Sequence, residues 1–136
     1  MTKKVLKMLI AEDEFLSRKL VGHYLEKYGK SDIAVNGQEA MLAIQTSYGE
    51  GSPYDVIFLD IMMPEKDGLT VLKELREFET NLKINPADGI KVIMTTALGD
   101  AKSVMQAFRS QCEAYITKPY TEDAFTVQLK KLGLIE

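Results

Sequence analysis

The sequence predicts an α/β protein: an open parallel sheet with helices packed on both faces. Two observations carry this. Short apolar runs alternate with longer segments whose apolar residues recur at helical spacing, five times in strict succession. The apolar runs barely alternate with polar residues, as suits strands covered on both faces. The 136 residues match one domain at about 150 residues per domain.

The first apolar run spans residues 5–11 and is broken only by Lys7. Residues 15–28 then carry Leu16, Leu20, Tyr24 and Tyr28 at spacing four, a helical stripe that Gly29 is expected to close. Residues 31–35 alternate weakly and predict an edge strand. Asn36-Gly37 would signal a hairpin between strands, but residues 38–47 read as a helix with Ala40, Met41 and Ile44 inward, so Asn36 is read as its start. Residues 48–53 have loop composition. Residues 56–59 form the clearest buried strand, with Asp55 and Asp60 at its ends. A turn over residues 63–68 leads to a helix over about residues 69–78, with Leu69, Leu72, Leu75 and Phe78 apolar. The loop at 80–89 is followed by a strand at 91–96 and by a helix started at Gly99-Asp100, with Asp100 as its cap. A short strand at 114–117 stops at Pro119, and the last helix covers about residues 122–132, with Phe125, Leu129 and Leu132 inward.

Composition narrows the function. Hydrophobic residues make up 46% and charged residues 27%, which excludes disorder and fibrous repeats. A net charge of -3 argues against general affinity for nucleic acid or anionic membrane. The single cysteine, Cys112, forms no internal disulfide and with the single His23 cannot build a Cys/His metal site. Cys112 reads as a small buried hydrophobe and His23 as a helix-surface residue. No run approaches the roughly 18 apolar residues of a membrane span, and the start Met1-Thr2-Lys3-Lys4 is followed by acidic residues, unlike a cleaved signal. A cytoplasmic location is expected.

In open parallel sheets the ligand crevice lies at the carboxyl ends of the strands. Glu12-Asp13-Glu14 follow the first strand, Asp60 the third, Thr95-Thr96-Ala97 close the fourth, and Thr117-Lys118-Pro119 end the fifth. Singly, such residues are ordinarily structural, an acid there capping the next helix, and Glu14 is read that way. Together they point to chemistry. If the first and third strands are neighbours, their carboxylates repel one another unless a cation sits among them. An oxygen-only set open to solvent favours Mg²⁺. Lys118 and Thr96 supply the charge and the hydroxyl that a phosphoryl group would want.

Four segments, Ile10-Ala11-Glu12-Asp13-Glu14, Leu59-Asp60-Ile61-Met62-Met63-Pro64-Glu65-Lys66-Asp67-Gly68, Met94-Thr95-Thr96-Ala97 and Tyr115-Ile116-Thr117-Lys118-Pro119, resemble the receiver domain of two-component response regulators. Asn36-Gly37-Gln38-Glu39-Ala40 also matches the family's second helix start. The resemblance covers essentially the whole chain and is similar to the stand-alone form typified by the chemotaxis response regulator. It implies a flavodoxin-like fold with strand order 2-1-3-4-5 and a cis Lys118-Pro119 bond. It also implies roles. Asp60 would be the phosphoacceptor for a phosphohistidine on a sensor histidine kinase or phosphotransfer protein. Asp13, Asp60 and the Met62 carbonyl would bind Mg²⁺, with Glu12 acting through water or as a weaker ligand. Lys118 and Thr96 would contact the phosphoryl group, and Tyr115 would turn inward with the switch. The surface of the fourth helix, fifth strand and fifth helix would then change for a separate protein target.

Departures from the family pattern stand at Ser110-Gln111-Cys112, where the family often has Ala-Gly-Ala. Gln111 in place of glycine puts the local backbone geometry in question. Two past Asp60 and Thr96 stand Met62 and Leu98, neither able to orient a water, so slow autodephosphorylation is expected. A Mg²⁺-dependent aspartyl phosphatase would want a second aspartate where Met62 stands. An unphosphorylated interaction module would lack Asp60, Asp13 or Lys118. A transcription factor would need a DNA-binding domain beyond residue 136. The expectation is therefore one receiver over residues 1–136, with its output on another chain or phosphate passed onward in a phosphorelay.

Overall fold

The computed structural model describes residues 5–97 and 99–136; Met1-Thr2-Lys3-Lys4 and Leu98, both used in the sequence reading, lie outside the described residues. In chain order the elements are β1 (Leu6–Ala11), α1 (Phe15–Leu25), β2 (Gly29–Ala34), α2 (Gly37–Gly49), β3 (Val56–Asp60), α3 (Gly68–Asn81), β4 (Lys91–Thr96), α4 (Ala101–Arg109), β5 (Ala114–Thr117) and α5 (Glu122–Lys131). A single 3-10 turn, Pro86–Asp88, precedes β4. The strands pair in parallel in the order β2-β1-β3-β4-β5.

Strand side chains alternate between the two faces, so the three inner strands β1, β3 and β4 feed two cores. Leu9, Ile57, Leu59, Val92 and Met94 pack beneath Ile44 of α2, Leu72 and Leu75 of α3, and Ala107 of α4. Met8, Ile10, Phe58, Ile93 and Ile116 pack against Val21 and Leu25 of α1 and Phe125 and Leu129 of α5. Covered on both sides, β3 is buried along its whole length, which is why its sequence is an unbroken apolar run. β2 is largely exposed, as its edge position and weak pattern predict.

Side-chain caps mark the helix starts. The Asn36 side chain accepts from the Glu39 N–H at 2.8 Å, while Glu39 accepts from the Val35 N–H at 2.9 Å. Asp67 caps α3, Asp100 caps α4 and Thr121 caps α5 in the same way.

The boundaries differ from the expected ones where contacts from elsewhere compete. α1 ends at Leu25, three residues before the end of its apolar stripe, because the Tyr28 carbonyl accepts from the Leu6 N–H at 2.8 Å and joins the sheet. Gly29 therefore opens β2 instead of closing α1, and it is glycine because a Cβ there would lie 2.0 Å from the Leu6 carbonyl oxygen. α2 takes in Tyr48 and Gly49, assigned to a loop by composition, because the Tyr48 hydroxyl bonds Glu79 and its ring packs on Phe78 at 5.8 Å. α3 runs to Asn81, since Glu79 is buried and accepts from the Ile90 N–H at 2.7 Å.

Candidate functional site

The sheet order sets β1 beside β3, with β4 and β5 next, so the ends of four strands form one rim. Asp60 is the last residue of β3, in register with Thr95. Glu12 and Asp13 follow β1 directly. Their loop is tied down by the Arg18 guanidinium, which donates to the Glu12 carbonyl at 3.1 Å and the Asp13 carbonyl at 2.9 Å. After β3 the chain turns back, with the Gly68 N–H on the Ile61 carbonyl at 2.9 Å. Gly68 sits so close that a Cβ would lie 2.1 Å from the Asp60 carbonyl oxygen, so only glycine lets α3 start against the strand end. Lys118 follows β5 and precedes a cis bond to Pro119, the geometry the resemblance implied.

The acidic residues come together. Carboxylate oxygens of Glu12, Asp13 and Asp60 lie within 4.8 Å of one another; Glu12 and Asp60 are buried and Asp13 is exposed. Lys118 Nζ reaches Asp60 Oδ2 at 3.2 Å and Glu12 Oε1 at 3.1 Å. Glu12 Oε1 also accepts from the Tyr120 hydroxyl at 3.1 Å, and Oε2 from the Glu14 N–H at 3.3 Å. Asp60 Oδ1 accepts from the Met62 N–H at 3.2 Å.

Burial pushes the Asp60 carboxyl up to about 7, helped by the hydrogen bond and negative charge of Glu12 and opposed by Lys118. Burial works against ionisation of Glu12 as well, but hydrogen bonds from Asp60, Lys118 and the Glu14 N–H, with the Lys118 charge, hold it below the usual range. For Lys118, burial is outweighed by attraction to Asp60 and Glu12, which keeps it protonated. One lysine faces three carboxylates, so the donor chemistry fits a hard divalent cation: all oxygen, excess negative charge, one ligand facing solvent.

The remaining expected residues stand around this cluster. Thr96 is buried, its hydroxyl 3.5 Å from the Ala97 carbonyl, and its own carbonyl accepts from the Lys118 N–H at 2.8 Å. The Met62 side chain is exposed. Tyr115 points outward with its ring edge-on to Phe108 at 6.0 Å. A cleft of about 330 Å³, lined by Thr96, Val104, Met105, Tyr115 and Thr117 among others, opens between α4 and β5. Glu14 is exposed as read, though it accepts from Ser17 Oγ at 2.5 Å and makes no side-chain cap to the backbone. Cys112 is buried, and His23 is a surface residue near Glu26. Sequence reasoning missed Arg18 and Tyr120. Tyr120, two residues past Lys118, carried the only available signal: a phenol at a strand end where an apolar ring would fill the same space.

Residues 8–130 match the response regulator receiver domain family. The chain belongs to that family. The transcriptional regulatory protein ResD of Bacillus subtilis is 35% identical over 127 residues, which are 93% of this receiver and 47% of ResD. The receiver thus spans about half the length of that relative. Among solved structures it resembles a chain of the CheX–CheY–BeF3–Mg+2 complex from Borrelia burgdorferi, with a TM-score of 0.80, 25% identity, and 94% and 89% of the two chains covered. It also resembles a chain of the co-crystal of the Saccharomyces cerevisiae histidine phosphotransfer signaling protein Ypd1 with the receiver domain of Ssk1. There the TM-score is 0.79, the identity 25%, and the cover 98% and 92%. These neighbours share its flavodoxin-like order of five parallel strands.

Proposed function

We propose that this receiver accepts a phosphoryl group on Asp60 from a phosphohistidine of a sensor kinase or phosphotransfer protein, in a Mg²⁺-dependent reaction, and signals to a separate protein. The observation that carries this is the Asp60 carboxylate at the end of β3, bonded to Lys118 and within 4.8 Å of the carboxylates of Glu12 and Asp13. An Asp60 carboxylate oxygen attacks phosphorus, the P–N bond to the imidazole breaks, and its electron pair returns to the ring nitrogen, which takes up a proton. The product is an acyl phosphate. Such transfer depends on in-line positioning and charge neutralisation. Asp13, Asp60 and the Met62 carbonyl would hold Mg²⁺, with Glu12 acting through water. When bound, the ion would neutralise the charge that builds on the phosphoryl oxygens. Lys118 stays protonated to pair with those oxygens, and Thr96 turns its hydroxyl toward them.

The readout is a two-state event. Tyr115 turns from its exposed position into the cleft beside Thr96, and the α4-β5-α5 surface changes for its target. Met62 offers no acceptor to orient an attacking water, so the acyl phosphate is long-lived for the family. Rapid loss of phosphate from purified, phosphorylated protein would refute that. Passage of phosphate onward to a histidine phosphotransfer protein is the second reading, supported by the likeness to the receiver crystallised with Ypd1. The unit proposed is a single receiver over residues 1–136, acting in the cytoplasm; no helix among the described residues is long and apolar enough to cross a membrane.

The test is incubation with Mg²⁺ and a small phosphodonor such as acetyl phosphate, followed by intact-mass measurement. Wild type should gain one phosphoryl group, and Asp60→Asn should gain none. Undiminished incorporation in that variant overturns the site. A pull-down with the beryllofluoride-treated and untreated forms then reads the output surface.

A further inference from the structure

Tyr120 was not among the residues that the sequence singled out, yet its hydroxyl lies inside the acidic cluster. The side chain is buried, and the ring packs edge-on against Phe125 at 5.5 Å, with Lys118 Nζ 5.8 Å from its centre. That packing needs only an apolar ring, and a phenylalanine would supply it. A buried phenol, by contrast, is costly unless its hydroxyl hydrogen finds an acceptor. Here the phenol hydroxyl donates to Glu12 Oε1 at 3.1 Å. Glu12 Oε1 then carries two donors, Lys118 and Tyr120, while Oε2 accepts from the backbone of Glu14. A carboxylate on a loop is thereby fixed in orientation by a residue on the opposite side of the rim.

We propose that Tyr120 is a positioning residue for the metal-dependent site, holding Glu12 through its hydroxyl so that the three carboxylates face one cation. This rests on the Mg²⁺ reading above and names a residue that reading does not use. Lys118 alone cannot do this, because its single ammonium is shared with Asp60 and is needed for the phosphoryl oxygens. Tyr120 holds Glu12 independently of the phosphorylation state.

The experiment is a double-mutant cycle of Tyr120→Phe and Glu12→Gln, read by calorimetric titration with Mg²⁺ and by the Mg²⁺ dependence of phosphoryl incorporation from acetyl phosphate. Tyr120→Phe keeps the ring packing and should weaken Mg²⁺ binding roughly tenfold, as loss of an outer hydrogen bond to a ligand does. In the Glu12→Gln background the same change should shift binding by no more than about twofold, because the group it acts through is gone. An unchanged dissociation constant in Tyr120→Phe overturns the proposal. So does an equal loss in both backgrounds, which would mark a role in folding alone, and so does absence of Mg²⁺ binding by wild type. Failure of wild type to take up phosphate while the binding cycle holds would strike the phosphoacceptor reading and leave Tyr120 in its role. Normal phosphorylation with the same Mg²⁺ dependence in both proteins would do the reverse.

Discussion

At the scale of single residues, the site is a problem in charge placement. Asp60 is buried beside Glu12, and in the absence of a cation it holds a proton up to about pH 7, against an ordinary value of 3.8. The folded state therefore binds this proton more tightly than the unfolded chain. Its contribution to stability is complete below about pH 4 and is lost as the pH rises through about 7. In chelator, Asp60→Asn should consequently be more stable than wild type at pH 8, by on the order of 1–3 kcal/mol, with the gap closing toward pH 5. Lys118 keeps Glu12 as its partner in that variant. Urea denaturation at the two pH values measures this, and a variant less stable than wild type at pH 8 would contradict it. Asp13, Asp60 and Lys118 were legible in the sequence because each follows or closes an apolar run. Arg18 and Tyr120 were not: Arg18 bonds backbone carbonyls five and six residues back and reads locally as a surface base, and the Tyr120 hydroxyl, a weak signal by itself, finds its partner Glu12 across 108 residues of chain.

At the scale of elements, the helix ends show how far local signals reach. Caps were readable: Asn36 and Asp100 were assigned from sequence and both accept the expected backbone bond. The C-terminal limits of α1, α2 and α3 were not, because sheet pairing at Gly29 and the bonds of Tyr48 and Glu79 decide them. The end of α4 is the sharpest case. Gln111, where the family often has glycine, adopts φ 72, the left-handed region glycine favours. Arg76 of α3 holds it there, donating to the Gln111 carbonyl from Nε at 3.1 Å and from Nη2 at 2.8 Å. The same guanidinium meets Glu79 at 2.7 Å, the Ile90 carbonyl at 2.8 Å and Glu113 at 3.0 Å, tying α3 to β4 and to the approach of β5. Gln111→Gly should stabilise the fold by about 0.5–1 kcal/mol through relief of the left-handed strain. Arg76→Ala should cost about 3–5 kcal/mol, since it strands the buried Glu79 carboxylate. Equilibrium unfolding of both variants tests the pair. Destabilisation by Gln111→Gly would mean that its side chain does more than tolerate the turn.

At the scale of the whole molecule, the sheet brings four separate strand ends to one acidic rim, so a cation bound there would couple to global stability. Mg²⁺ at about 100 times its dissociation constant should stabilise wild type by about 3 kcal/mol. Asp13→Asn and Asp60→Asn should lose most of that gain, which thermal melts with and without Mg²⁺ will read. Equal stabilisation of all three proteins would place the bound ion elsewhere. The two cores on opposite faces of the sheet fix the distances involved: β3 is buried on both sides, so Asp60 cannot move without disturbing Phe58 on one face and Leu59 on the other. The switch proposed above would fall to α4 and Tyr115, where Met105, Phe108 and Tyr115 are exposed and Ala107 is the buried residue of the helix.

The sequence by itself determined the alternation of strands and helices, the parallel sheet, and which residues close each strand, because side-chain periodicity and capping chemistry act over a few neighbouring positions. It also carried the family, through motifs that sit at those strand ends. Only the tertiary structure decided that Glu12 is held by Lys118 and Tyr120 together, that Arg76 fixes Gln111, and that α1 yields its last turn to the sheet. Each of these is a contact between residues distant in the chain. Its free energy depends on burial and on the directions of hydrogen bonds, neither of which exists until the five strands have paired.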